Sequence, residues 1–178
     1  MGAGRKRVVL GVFVVILCSA AIAYAFVRAN AGVFRMPVAA MEPTIKSGEL
    51  FRADMLAYET ADPRRWDLVV FRAPRIEIVN KNLKKDQLWV FRVAGMPGET
   101  ISFGKGGLLI DGQPADLPDH LGNVSYSGLN VDAADVDHPF VVPQFSYYVL
   151  GDNLAKANDS RVWGAVAREQ ILGRVNDR

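Results

Sequence analysis

The stretch RMPVAAMEPTIKSGEL, residues 35–50, decides how the rest of the chain is read. Upstream of it runs VVLGVFVVILCSAAIAYAF, Val8 to Phe26, 19 residues without a charge. At about 1.5 Å per residue such a run spans roughly 28 Å, close to the hydrocarbon thickness of a bilayer. Arg5, Lys6 and Arg7 precede it, so the positive-inside rule predicts a cytoplasmic basic tail (1–7), a single-pass transmembrane anchor (8–27) and an extracytoplasmic domain (28–178) at the cell membrane. Ala23-Tyr24-Ala25 has the small-x-small form of a cleavage site, but a signal peptide has a shorter apolar core. Leu17 before Cys18 is too bulky for lipoprotein processing.

Charge divides the same way. Arg5, Lys6, Arg7 and Arg28 are the only charged residues up to position 30, which leaves 17 basic and 19 acidic residues beyond it. The excess of positive charge therefore belongs to the anchor, and nucleic acid is not an expected partner. Cys18, within the apolar run, is the only cysteine. The outer domain has no disulfide and must be held by its core, which suits one domain of this size.

The outer part reads as mainly β. Stretches rich in branched and aromatic residues (49–58, 67–73, 88–94, 99–103, 108–111, 145–150 and 171–175) alternate with turn residues. GKGG (104–107) is a glycine-rich hairpin turn, and Asp111-Gly112 is a strong short-turn signal. Residues 165–172 lean towards a helical turn, and 113–144, with four prolines and little periodicity, read as a loop or insertion.

Within 35–50, Met41-Glu42-Pro43-Thr44 and Gly48-Glu49 resemble the nucleophile loop of the type I signal peptidases, membrane-anchored serine endopeptidases with a Ser–Lys dyad. RRWDLVVFRAP (64–74), VFRVAGMPGETI (90–101), LLIDGQ (108–113) and LGDNLAKANDSRVWGAV (150–166) resemble further pieces of that family, in order. The resemblance runs from about residue 35 to the C-terminus and implies a signal-peptidase-like catalytic-core β fold behind one N-terminal transmembrane helix, with no cofactor or metal. It implies signal peptides or secreted client proteins as partners at the outer face of the membrane.

The family wording departs at four places. Ala40 stands where the resemblance implies the attacking serine, and Val38 where a serine hydroxyl helps form the oxyanion hole. Phe91, in the pair Phe91-Arg92, stands where the general-base lysine is implied, and Ala157 where a serine holds that amine. Met41 and Pro43 are the implied substrate-binding residues of the loop. A methyl group cannot attack a carbonyl, so Ala40 removes covalent catalysis. By strand alternation Trp89, Phe91 and Val93 share one face, so residue 91 points into an apolar site in which a lysine would be kept neutral. Phenylalanine fills that hole with hydrocarbon. Four polar positions turned apolar together predict a dry cavity rebuilt as packing, and with it a member of the family that lacks the catalytic dyad.

The surviving polar residues Asp152, Asn153, Asp159, Ser160 and Arg161 have a structural reading as a buttressed loop. Asp159 or Asp152 would pair with Arg161, the Asn153 amide would close a turn, and Ser160 would be a turn residue. Ser47 beside Lys46 is not a relocated dyad, since adjacent strand residues face opposite ways, and Lys85 lies roughly 20 Å from position 91 along a strand. His120 and His138 lack paired metal-ligand spacing. Three functions stay open: a silent, peptide-binding relative; an active signal peptidase processing preproteins with an unidentified nucleophile; and a structural assembly module. A retained groove favours the first over the third, and a groove plugged by Phe91 or Trp89 favours the third.

Overall fold

The computed structural model describes residues 16–19, 22, 31–73, 87–127 and 139–176. The expected anchor at 8–27 lies almost wholly outside them, and among the described residues no helix is long and apolar enough to cross a membrane. Lys85 and His138 also lie outside.

Among the described residues, eleven strands form two antiparallel sheets. They are β1 (Ala31–Arg35), β2 (Leu50–Asp54), β3 (Leu68–Arg72), β4 (Leu88–Gly95), β5 (Thr100–Gly104), β6 (Gly107–Ile110), β7 (Gln113–Pro114), β8 (Phe140–Val141), β9 (Ser146–Leu150), β10 (Val166–Ala167) and β11 (Ile171–Val175). The larger sheet runs β1-β2-β11-β3-β4-β9-β10 and the smaller β7-β6-β5-β8. The expected stretches coincide with β2, β3, β4, β5, β6, β9 and β11. Four strands, β1, β7, β8 and β10, were not legible. Three of these have two residues each, too few for any periodicity to register.

Two turns carry the strongest local signals. Asp111 and Gly112 have φ of 49° and 77°, the paired left-handed values of a tight hairpin turn, and they set Ile110 opposite Gln113. Lys105-Gly106 closes the β5–β6 hairpin with Gly104 opposite Gly107. The helical lean at 165–172 holds at Arg168–Gln170, a 3₁₀ turn, while Val166–Ala167 and the residues from Ile171 on are strand. The only α-helix bounded among the described residues is one turn, Ser160–Trp163. Much of 113–144 packs rather than loops free, since Leu121, Val124, Tyr126 and Val142 are all buried.

Two apolar cores result. One gathers Met41, Phe51, Val69, Phe71, Phe91 and Val93, and the other Trp66, Ala94, Ile101, Leu108, Tyr126 and Leu150. Val93 and Ala94, adjacent on β4, belong to different cores, so this strand is shared by both.

Between the cores lies a buried ion pair. Arg92 and Asp152 both have fully buried side chains, and the pair is bidentate: Arg92 Nε donates to Asp152 Oδ1 at 2.8 Å and Nη2 to Oδ2 at 2.7 Å. Arg92 Nη1 donates to the Trp66 carbonyl at 2.8 Å. Tyr126 Oη donates to Asp152 Oδ1 and Thr44 Oγ1 to Oδ2. The carboxylate thus accepts four bonds, the full capacity of its two oxygens. Trp66 adopts φ 72°, costly for a residue with a β-carbon, and both its backbone groups are engaged: its N–H donates to Val93 O at 2.8 Å. No buried side-chain nitrogen or oxygen among the described residues lacks a partner.

Asp152→Ala strands the guanidinium in the interior and should cost about 3–5 kcal/mol, read from denaturant unfolding. A loss under about 1 kcal/mol would mean that water reaches Arg92 freely.

The network also sets an alkaline response. Burial first, and then the Asp152 carboxylate, push the Tyr126 phenol well above its ordinary value. The folded state therefore keeps a proton that the unfolded chain gives up near pH 10, so stability falls as pH rises above about 10. Tyr126→Phe should make that decline shallower in melts taken between about pH 9 and 11. The decline should not vanish, because Tyr58 and Tyr147 are pushed upward as well, chiefly by burial.

Candidate functional site

The residues singled out in the sequence come from three segments. Ala40 lies in a 3₁₀ turn (Ala39–Met41) before β2, Phe91 on β4, and Ala157 in the turn that follows β9. They converge on a fourth residue, Gly151. A β-carbon there would lie 2.3 Å from Ala157 Cβ, 2.6 Å from the Ala40 carbonyl oxygen and 3.4 Å from Phe91 Cε1. Only glycine lets the three segments close to this distance. Asn153 N–H donates to the same Ala40 carbonyl at 3.0 Å, fixing the turn to the 150–160 loop.

Phe91 is buried at 6% exposure, and Ala40 at 3%. The Phe91 ring belongs to a four-ring cluster with Phe71, Trp89 and Trp163 in which every pair has centroids 5.8 to 6.4 Å apart. Such pairs add roughly 0.5–1.5 kcal/mol each beyond area burial. Position 91 is therefore part of a packed hydrocarbon wall. Val38 departs from the expected dry cavity: its side chain is 53% exposed. It precedes the 3₁₀ turn with extended backbone, φ −136° and ψ 166°, so it stands on the rim.

A groove of about 360 Å³ runs along this face. Val38, Ala40, Leu88, Trp89 and Phe91 line it, with Phe51 and Val70 also in the lining. The rings of Trp89 and Phe91 form wall and leave the groove open. Neither Met41 nor Pro43 lines it. Met41 is fully buried in the core, and Pro43 borders a separate cavity of about 230 Å³ with Thr44, Glu49 and His120. The peptide on β4 is half-free: β9 pairs with it only from Arg92 onward, so among the described residues Leu88 to Phe91 pair with β3 alone.

The polar residues of the 150–160 loop divide into two supports. Asp159, not Asp152, pairs with Arg161, at 2.8 Å from Nε to Oδ1. Asp159 Oδ2 also accepts the Gly151 N–H at 3.0 Å, and Arg161 Nη2 donates to the Leu154 carbonyl at 2.7 Å. Asn153 closes its turn with its carbonyl, which accepts from Lys156 N and Ala157 N. The Ser160 hydroxyl is buried and accepts the Val149 N–H at 2.9 Å, and Asp159 rather than Ser160 caps the helical turn. Thr44 is the hydroxyl nearest to acid–base chemistry, yet the carboxylate that it meets is saturated by Arg92 and Tyr126. Among the described residues no cluster of three metal-ligating side chains occurs.

Sequence reasoning missed Gly151, Phe71 and Trp163. The β3–β4 register places Phe71 opposite Trp89, a cross-strand aromatic pair available once the two strands are aligned. Gly151 carried no signal except its place between a strand and the Asp152-Asn153 pair.

Ala40 and Phe91 line the groove, and both meet Ala157 around Gly151. The chain belongs to the signal peptidase family, peptidase S26, whose family model matches residues 6–178. The signal peptidase I of Leptolyngbya laminosa is 32% identical over 143 residues, 79% of this chain and 64% of that protein. Signal peptidase IB of Staphylococcus aureus is 31% identical over 147 residues, 78% of this chain and 72% of that protein. The chain thus spans less than two thirds of the length of the first of these relatives. A signal peptidase I crystal structure from Enterococcus faecalis V583 aligns with 65% of this chain and 98% of that one, at 25% identity and a TM-score of 0.47.

Phe91→Lys tests the packing. An ammonium in the ring cluster loses aromatic contacts and gains no hydroxyl partner, since residue 157 is alanine. The variant should lose about 3 kcal/mol or more of stability, together with its near-ultraviolet aromatic dichroism. An unchanged melting temperature would mean that residue 91 is solvated.

Proposed function

We propose that this chain is a catalytically silent signal-peptidase-like protein that binds extended apolar peptides, such as the signal segments of secreted clients, at the outer face of the membrane. One observation carries the reading: the positions matching nucleophile, base and amine holder are alanine, phenylalanine and alanine, drawn together around Gly151 as packing, beside a groove that stays open. Covalent catalysis needs a nucleophile with an adjacent base, and neither Ala40 nor Phe91 can supply a proton acceptor. Peptide binding needs less. The edge of β4 at 88–91, unpaired among the described residues, offers backbone N–H and C=O groups for strand addition, and the apolar lining offers side-chain contact. The open groove supports this reading over a purely structural assembly role. On this reading Asp152, Asp159 and Arg161 hold the loop and do not act on substrate.

The test restores the family wording. Full-length protein should not cleave a preprotein, and should not react with acylating inhibitors of serine peptidases. Val38→Ser, Ala40→Ser, Phe91→Lys and Ala157→Ser combined should give weak cleavage at the small-residue site, since positioning errors of about 1 Å cost 10²-fold. Ala40→Ser alone should give none. Cleavage by the unaltered chain, persisting after contaminating proteases are removed, overturns the proposal.

A further inference from the structure

Among the described residues, the groove proposed for peptides carries cations and no acid in its lining. Arg35 and Lys156 both line it, both are exposed, and among the described residues neither is paired with a carboxylate. Arg35 donates Nη1 to the Gly48 carbonyl at 2.9 Å, which holds the side chain while leaving its charge uncompensated. Lys156 lines the groove together with Ala40 and Phe91, and the next residue, Ala157, packs against Gly151. A largely apolar groove with two cations in its lining fits a ligand with an apolar body and an anionic end.

Resting on the peptide-binding reading, we infer that the groove selects peptides that end inside it: extended apolar segments whose free C-terminal carboxylate meets Lys156, with Arg35 adding to the same field. A peptide running through uncut presents a neutral amide there and gains nothing from these charges. A carboxylate can accept charge-assisted hydrogen bonds from an ammonium. A fatty acid would also present an apolar body and an anionic end. The open edge of β4 at Leu88 to Phe91 favours the peptide, because an acyl chain cannot satisfy its backbone N–H and C=O groups. The reaction class that supplies such a ligand is endopeptidic hydrolysis, in which water adds hydroxyl to the acyl carbon, the C–N bond breaks and the amine leaves with a proton. The chain would then act after cleavage, as a receiver of the released apolar product.

Binding is read from tryptophan fluorescence of the full chain in lipid nanodiscs, since Trp89 lines the groove and contacts Trp163. The probes are acetyl-Leu-Leu-Ala-Leu-Ala as free acid, the same peptide as C-terminal amide, and the same residues inside a longer peptide. The acid should bind roughly 3- to 10-fold more tightly than the other two at low salt. The preference should shrink in about 0.5 M salt, where exposed charges are screened. Lys156→Gln should bring the acid down to the affinity of the amide, with the far-ultraviolet spectrum confirming the fold. Equal binding of acid and amide overturns this inference while peptide binding stands. Binding of none of the peptides removes the proposed function itself. Dodecanoate displacing the acid peptide at equal concentration would make the occupant an acyl chain and overturn the inference as well.

Discussion

The rest of the structure depends on one buried guanidinium. Arg92 sits on β4 with no solvent contact, and a charge so placed is tolerable only with a carboxylate and with every N–H satisfied. Its partners come from distant parts of the chain: Asp152 from the loop after β9, the Trp66 carbonyl from the approach to β3, and Thr44 from the turn before β2. Tyr126 closes the same carboxylate from the far core. None of these segments can move far without exposing an unpaired charge, so the pair fixes the relative position of both cores. Replacing the whole cluster by hydrocarbon could be neutral for stability, and its value on this view is geometric.

That geometry decides what the groove looks like. Gly151 is adjacent to Asp152 in the chain, so anchoring the carboxylate also places the glycine against Ala40 and Phe91. A second anchor, Asp159, accepts the Gly151 N–H and pairs with Arg161, which in turn reaches the carbonyls of Leu154 and Ala157. The loop is therefore held from both ends, and Ala157, with its N–H and carbonyl both bonded, is brought against Gly151. Phe91 enters by a different route, since strand alternation turns it away from Arg92 into the ring cluster.

Much of this was legible in the sequence, for identifiable reasons. Seven strands announced themselves because branched and aromatic residues alternate along them, and Asp111-Gly112 specified its turn through the left-handed backbone that it tolerates. The burial of Phe91 followed from period-two parity. The partner of Asp152 did not follow, because ion pairs across long sequence separation leave no periodic trace: Arg161 lies nearby in sequence, whereas Arg92 lies 60 residues away. The exposure of Val38 was hidden for a related reason, since its place depends on the irregular backbone between β1 and the 3₁₀ turn. Close packing around Gly151 needed three segments to be brought together before the missing β-carbon had any meaning.

A catalytic centre and the frame that positions it are separable in energy as well as in sequence. Interactions that act only in a transition state contribute nothing to the folded ground state, so losing them leaves the fold and any ground-state binding intact. Frame residues behave oppositely, because each is tied to burial and to satisfied hydrogen bonds. In this chain the polar frame is complete: Arg92, Asp152, Asp159, Arg161 and Ser160 all have their partners. On the proposed reading, Ala40, Phe91 and Ala157 are apolar where polarity would have served the chemistry. A chain drifting without constraint would lose frame and centre alike. On the proposed reading, retention of one without the other is what binding without turnover requires, since a peptide groove needs its walls in register and has no use for a buried amine.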